Sequence, residues 1–174
     1  SFSPIVASGE NSAFPHAQPT NRKLKSGDLL TLDFGCIYNG FCSDMTRTIG
    51  IGKLSAEAKK IYQIVSDAQQ LAINSIAKNK STKVVDSVAR NYIHSKGYGK
   101  YFGHGLGHGL GIEVHENPRL NQISNSILTE GNVVTVEPGI YIENFGGVRI
   151  EDDVIVTEDG CEVLNSSPKE LIII

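Results

Sequence analysis

Two short stretches, Thr31-Leu-Asp-Phe-Gly35 and Thr135-Val-Glu-Pro-Gly139, repeat one pattern: apolar strand residues, a single carboxylate, then a glycine. An ionised carboxylate inside an apolar run is costly unless something pairs with it. Each stretch is followed by a return strand with a second carboxylate: Asp44 comes eleven residues after Asp33, and Glu151 fourteen after Glu137. Two carboxylates on adjacent antiparallel strands repel each other unless a cation lies between them. Two such hairpins related by a pseudo-twofold axis would gather Asp33, Asp44, Glu137 and Glu151 at one place. The repeat therefore predicts antiparallel strands around an acidic centre. On an extended return strand Arg149, Glu151 and Asp153 share one face and Asp152 points away.

A second feature lies between the two copies. From Gly103 to Gly111 glycine occupies every second position, and His104, His108 and His115 fall in or just after that run. A helix with so many glycines is costly, so an extended or looped run is expected, with His104, Leu106, His108 and Leu110 on one face. Glycine there allows close approach of another backbone, a metal or a substrate. Histidine is the commonest metal ligand and the usual proton shuttle near neutral pH. A glycine-rich loop with solvated histidines is the bland alternative, and His16, in the turn-rich Phe14-Pro-His16 segment, reads as solvated when taken alone.

The remaining patterns describe a scaffold. Phe2–Val6 is a short strand candidate, and Val154 to Val163 reads as strand, turn, strand. Ser55 to Lys78 is an amphipathic helix with Ser55 as N-cap and an apolar stripe of Ile61, Ile64, Val65, Ala68, Leu71, Ala72 and Ile76. A second helix runs from about Thr82 to Lys96, with Val84, Val85, Val88, Ala89, Tyr92 and Ile93 inward and Gly97 as its stop. With 40% hydrophobic and 20% charged residues, the 174-residue chain matches an ordinary globular domain. A net charge of −3 without a basic stripe argues against nucleic acid as a partner. No apolar run approaches a membrane span. Cys36, Cys42 and Cys161 are odd in number, so a complete disulfide framework is excluded and a cytoplasmic location is the simplest expectation.

Four carboxylates with one or more imidazoles make a hard, oxygen-rich donor set. Such a set suits Mn²⁺, Co²⁺, Fe²⁺ or Zn²⁺, and four carboxylates suit two divalent ions rather than one. A pair of ions about 3.5–4 Å apart is the usual arrangement for hydrolysis. The chain has neither a Gly-x-x-x-x-Gly-Lys loop nor a strand-led Gly-x-Gly-x-x-Gly unit, which argues against a nucleotide enzyme, and no serine or cysteine sits in a Gly-x-Ser-x-Gly elbow.

Leu32-Asp33-Phe-Gly, Ser43-Asp44-Met-Thr-Arg-Thr, His104-Gly-Leu-Gly-His108, Val136-Glu137-Pro-Gly-Ile-Tyr and Val148-Arg-Ile-Glu151-Asp resemble, in order and spacing, the pita-bread-fold metallopeptidases. These include aminopeptidase P, prolidase and methionine aminopeptidase. The resemblance spans essentially the whole chain. It implies an α+β architecture, a curved antiparallel sheet with a pseudo-twofold repeat and helices on its outer face. It implies five metal ligands, Asp33, Asp44, His108, Glu137 and Glu151, with Asp44 and Glu151 bridging two divalent ions, His108 and Glu137 on one ion and Asp33 on the other. Mn²⁺ is the foremost candidate, with Co²⁺ or Zn²⁺ as alternatives.

His104, four residues before His108, is typical of the proline peptidases and sets the chain apart from methionine aminopeptidases. His16, His115 and Arg149 match positions that meet the substrate, and Arg119 resembles an arginine that meets the substrate carboxylate in some prolidases. The implied reaction is hydrolysis of the peptide bond preceding proline by a metal-bridging hydroxide. Glu137 would relay the proton, and His104 and His115 would donate to the developing oxyanion. The partners implied are proline-containing peptides, and a homodimer stays open for a longer protein. A non-catalytic pita-bread domain that binds peptides is a competing reading, as is a metal-independent creatinase-like hydrolase; both are disfavoured because all five ligands are present. Residues 1–174 correspond to the catalytic domain of the resemblance, without the first helices and the N-terminal domain usual in proline peptidases.

Overall fold

A computed structural model describes residues 1–174. The first half contains β1 (Ile5–Ser8), β2 (Leu29–Phe34), β3 (Ile37–Tyr38), β4 (Phe41–Cys42), β5 (Met45–Gly50), α1 (Ala56–Ser75) and α2 (Thr82–Ser95). The second contains β6 (Gly107–Gly109), β7 (Glu116–Leu120), β8 (Val133–Val136), β9 (Gly139–Ile142), β10 (Gly146–Arg149), β11 (Asp152–Val156) and β12 (Cys161–Val163). All strand pairing between these elements is antiparallel.

The repeat seen in the sequence is present as nested hairpins. In the first, β2 pairs with β5, with Asp33 opposite Thr46, and the short β3–β4 pair lies beyond them. In the second, β8 pairs with β11, with Val136 opposite Asp152, and β9–β10 lies beyond. β1 flanks β2 as β6 flanks β8, so the strand orders β1-β2-β5 and β6-β8-β11 correspond. The two halves meet where the Glu151 amide donates to Thr46 O (3.1 Å) and the Asp44 amide donates to Asp153 Oδ2 (3.1 Å).

Strand alternation separates a helix-facing side from a site-facing side. Val134, Val136, Val154 and Val156 join α1 and α2 residues Ile61, Val65, Ala68, Ala72, Val85, Ala89 and Ile93 in the apolar core. Thr135, between two of those valines, faces the other way and accepts the His108 amide (3.1 Å). Asp152 faces the helices, where it meets Arg47 and Gln69.

Local signals set the helix starts. The Ser55 hydroxyl accepts the Ala58 amide, satisfying one of the free donors of the first turn of α1. Two predicted core positions are outside it: Leu71 is 41% exposed and Val84 is 53% exposed. Each lies at the margin of its apolar stripe, and the buried places beside them go to Gln69 and Asp86 because these polar groups find partners there.

The strand of the second repeat copy, around Thr135–Gly139, is broken into β8 and β9 at Glu137-Pro138. Proline has no amide hydrogen for a ladder, and the Glu137 amide instead donates to Leu106 O (2.8 Å). The return strand is likewise divided at Ile150-Glu151, and the first strand is Ile5–Ser8 rather than Phe2–Val6. Of the glycine run, only Gly107–Gly109 is strand. There the expected close approach occurs: a Cβ at Gly107 would run into Thr135 O, and one at Gly109 into Asn117 O.

Candidate metal centre and substrate cavity

A cavity of about 430 Å³ is lined by all the residues singled out in the sequence: Asp33, Asp44, His108, Glu137, Glu151, His104, His115, His16, Arg149 and Arg119. Ligand atoms of Asp44, His108 and Glu151 lie within 4.8 Å of one another. Glu137 joins them through His108, whose Nε2 is 3.3 Å from Glu137 Oε1 and 3.8 Å from Asp44 Oδ2. Asp33 sits on the β2 side of the same cavity, bonded to Arg149.

Each side chain is held by its neighbours. His108 Nδ1 is 3.0 Å from Gly109 O, which can only accept, so Nδ1 carries a proton and Nε2 faces the carboxylates. That back-side bond to a carbonyl is the support typical of a metal-binding imidazole. Thr46 donates to Glu151 Oε2 (2.6 Å), and Thr135 donates to Glu137 Oε1 (3.2 Å). Arg149 is buried, and its donors go to Asp33 Oδ2 (2.5 Å), Thr46 Oγ1 (3.1 Å), Pro15 O (3.4 Å) and the Tyr141 hydroxyl (2.9 Å). Its guanidinium thus forms part of the cavity wall and orients Asp33.

The crowded carboxylates raise one another's proton affinity. Burial first, then the Asp33 and Glu137 carboxylates, push Asp44 up to about 8 against the pull of His108. Burial, with Glu137, Asp44 and Asp33, holds Glu151 well above the usual carboxylate range. Burial also raises Asp33, although Arg149 opposes it. Glu137 goes the other way: burial opposes its charge, but the His108 hydrogen bond and the nearby cationic groups outweigh burial and keep it low. His108 is raised because its Glu137 bond and charge outweigh burial. Asp33 Oδ1, Asp44 Oδ1 and Asp153 Oδ1 are buried with no hydrogen-bond partner. Clustered carboxylates forced towards protonation, with buried lone pairs to spare, fit divalent-cation coordination.

The histidines divide into two kinds. His104 is fully engaged: Nδ1 is 2.7 Å from Gly105 O, and Nε2 is 2.9 Å from the Tyr141 hydroxyl. Gly105 O can only accept, so Nδ1 carries the proton, and Tyr141, already accepting from Arg149, donates to Nε2. Neither nitrogen has a free proton for an oxyanion in this arrangement. His115 is exposed, packs edge-on against the His108 ring at 4.2 Å, and makes no ring hydrogen bond within the chain. His16 and Arg119 are exposed at the rim.

Thr46, Thr135, Tyr141 and Asp153 are site residues that the sequence did not single out for this role. The threonines and the tyrosine read locally as ordinary strand residues. Asp153 carried a signal, since it shares the face of Arg149 and Glu151 on an extended return strand.

The chain is similar to known proteins. Over 174 residues, all of this chain and 49% of the relative, it is 54% identical to an uncharacterized peptidase of Bacillus subtilis. It is 45% identical over 171 residues to an Xaa-Pro dipeptidase of Pyrococcus furiosus, 98% of this chain and 49% of the relative. The solved Xaa-Pro dipeptidase from Bacillus anthracis superposes with a TM-score of 0.98 at 53% identity, covering 99% of this chain and 49% of that one. The chain thus has the expected α+β pita-bread fold and spans about half the length of the curated relatives it matches. The family model described as "Metallopeptidase family M24" matches residues 1–158, and the chain belongs to that family.

Proposed function

We propose that the cavity hydrolyses the peptide bond preceding proline, with Asp33, Asp44, His108, Glu137 and Glu151 holding two divalent ions. The observation that carries this reading is the convergence of three buried carboxylates, the part-buried Glu137 and the Nε2 of His108 on one cavity, with Asp33 Oδ1 and Asp44 Oδ1 lacking partners. Similarity to an Xaa-Pro dipeptidase supports the substrate class. Bound there, the ions supply the Lewis acidity that activates water and polarises the scissile carbonyl.

The chain's own residues do the rest. Glu137, kept ionised beside His108, takes the proton from the attacking water and passes it to the leaving nitrogen. His115, with free ring nitrogens at the cavity, donates to the developing oxyanion. Arg119 at the rim meets the substrate carboxylate, and His16, also on the lining, contacts the substrate. Proline's nitrogen has no hydrogen, so a site for its bond relies on shape and on these rim contacts. Mn²⁺ is the proposed metal. A reducing, cytoplasmic setting fits three unpaired cysteines.

The test is elemental analysis of the full-length protein after supply of Mn²⁺, Co²⁺ or Zn²⁺, for wild type and Asp44→Ala, followed by Xaa-Pro dipeptide assays. About two equivalents of metal, falling in the variant with a loss of turnover beyond about 100-fold, is the expected result. A folded wild type that binds no metal would sink the hydrolase reading.

A further inference from the structure

Helix α2 carries a buried ion pair that the hydrolytic mechanism does not use. Asp86 is fully buried, and Arg90 meets it through Nε to Oδ2 (2.8 Å) and Nη2 to Oδ1 (2.9 Å). Both residues also reach out of the helix to the segment that carries His104. Arg90 donates to Phe102 O (3.0 Å) and His104 O (2.7 Å), and Asp86 Oδ1 accepts the Leu106 amide (3.0 Å). The guanidinium also lies 4.2 Å over the Phe102 ring, which in turn meets the His104 ring edge-on at 5.1 Å. The carbonyl of the same residue, Leu106 O, accepts the Glu137 amide (2.8 Å).

We propose that Asp86 and Arg90 are a positioning pair that fixes the His104 ring, and through Leu106 the Glu137 backbone, at the cavity wall. The physical need is local. His104 lies between Gly103 and Gly105, whose backbones are freer than any other residue's, so the ring's own Nδ1 bond to Gly105 O rests on a backbone that the segment does not fix by itself. The pair anchors the alternate positions 102, 104 and 106 from outside, in a low-dielectric setting where such bonds are strong. The fork of an arginine is required because one side chain must serve Asp86 and two carbonyls together, and a lysine supplies one point charge. The claim that this pair matters for turnover rests on the hydrolytic reading above; the claim about ring position does not.

The experiment uses the full-length protein with ¹⁵N-labelled histidine, loaded with diamagnetic Zn²⁺ for the spectra, as wild type, Arg90→Lys and Arg90→Met. The His104 ring signals are assigned by their loss in His104→Ala. Wild type should show His104 as a single neutral form with its proton on Nδ1. Both Arg90 variants should mix tautomers while His108 keeps its signals. With an Xaa-Pro dipeptide, kcat should fall about 10-fold with KM little changed. In the His104→Ala background the same Arg90 substitutions should cost less than in wild type, the remainder reporting the Leu106–Glu137 route. A folded Arg90→Lys with unaltered His104 signals overturns the proposal, and so do fully additive costs. If wild type lacks Xaa-Pro activity, the functional reading fails and the ring signals alone decide the positioning.

Discussion

His108 Nε2 lies 3.3 Å from Glu137 Oε1, although Gly107–Gly109 and Val133–Val136 bring these residues from different parts of the chain. Each changes the other's proton affinity: the carboxylate raises the imidazole, and the imidazole lowers the carboxylate against the effect of burial. The contact is the point from which the acid–base behaviour of the cavity follows.

Metal-free protein should lose stability as pH rises from about 4 to about 8. Asp44 is pushed up to about 8 and Asp153 to about 7, chiefly by burial, from an ordinary value of 3.8. In this window the folded chain therefore keeps protons that the unfolded chain has released. His108, raised from 6.5, acts in the same direction, because its stabilising charge is lost as pH rises through the folded value. Glu137, lowered from 4.5, gives stability that is lost only at lower pH. Thermal melts with chelator at pH about 5 and about 8 should show the higher Tm at the lower pH, and Mn²⁺ should raise Tm most at the higher pH. A flat profile would count against the buried carboxylate cluster.

Glu137→Gln keeps the shape of the side chain and removes its charge. Turnover should fall by about 10²–10⁴-fold with a much smaller change in KM, as for loss of a general base. Steady-state kinetics on an Xaa-Pro dipeptide checks this, and unchanged turnover would remove the proton-relay role.

Gly107→Ala should destabilise by about 1–3 kcal/mol and weaken divalent-ion binding. The new methyl would meet Thr135 O and sit 2.8 Å from Thr135 Oγ1, the atom that accepts the His108 amide. Gly103→Ala is the control: nothing lies within 4 Å of its Cβ position, so stability should change by no more than about 0.5 kcal/mol. Denaturant titration and metal-binding calorimetry distinguish the two.

Arg47→Met should cost about 3 kcal/mol, near the lower end for breaking a buried pair. Arg47 donates to Asp152 (2.7 Å), to Glu151 O (2.5 Å) and to Ser167 O (2.9 Å), but Lys169 also pairs with Asp152 at 3.0 Å and limits the loss. Equilibrium unfolding of the single variant and of Arg47→Met with Asp152→Leu tests this. The double variant should recover much of the loss, because no buried charge is left unpaired.

Much of the fold was legible because it rests on local period and capping. The helix stripes, the Ser55 cap and the two carboxylate-bearing hairpins needed only the burial rule and the alternation of a strand. The cavity's acidic residues were legible for the same reason: an aspartate at position 33 among leucines cannot be left alone. What the local pattern missed had partners far along the chain. Val84 looked like core, yet the buried place on that helix went to Asp86, whose stabilising partners include the distant Leu106 amide.

By itself, then, the sequence determined which residues had to be buried, which strands returned on themselves and which charges required compensation. Only the tertiary structure decided how each charge and ring nitrogen is satisfied. It gives Asp33 to Arg149, commits both nitrogens of His104, leaves the His115 ring free of partners within the chain, and breaks the strand at Glu137 so that its amide can reach Leu106. The reason is physical: burial preference is a property of one residue and its near neighbours, while a buried polar group must find its partner wherever the whole chain's packing puts one.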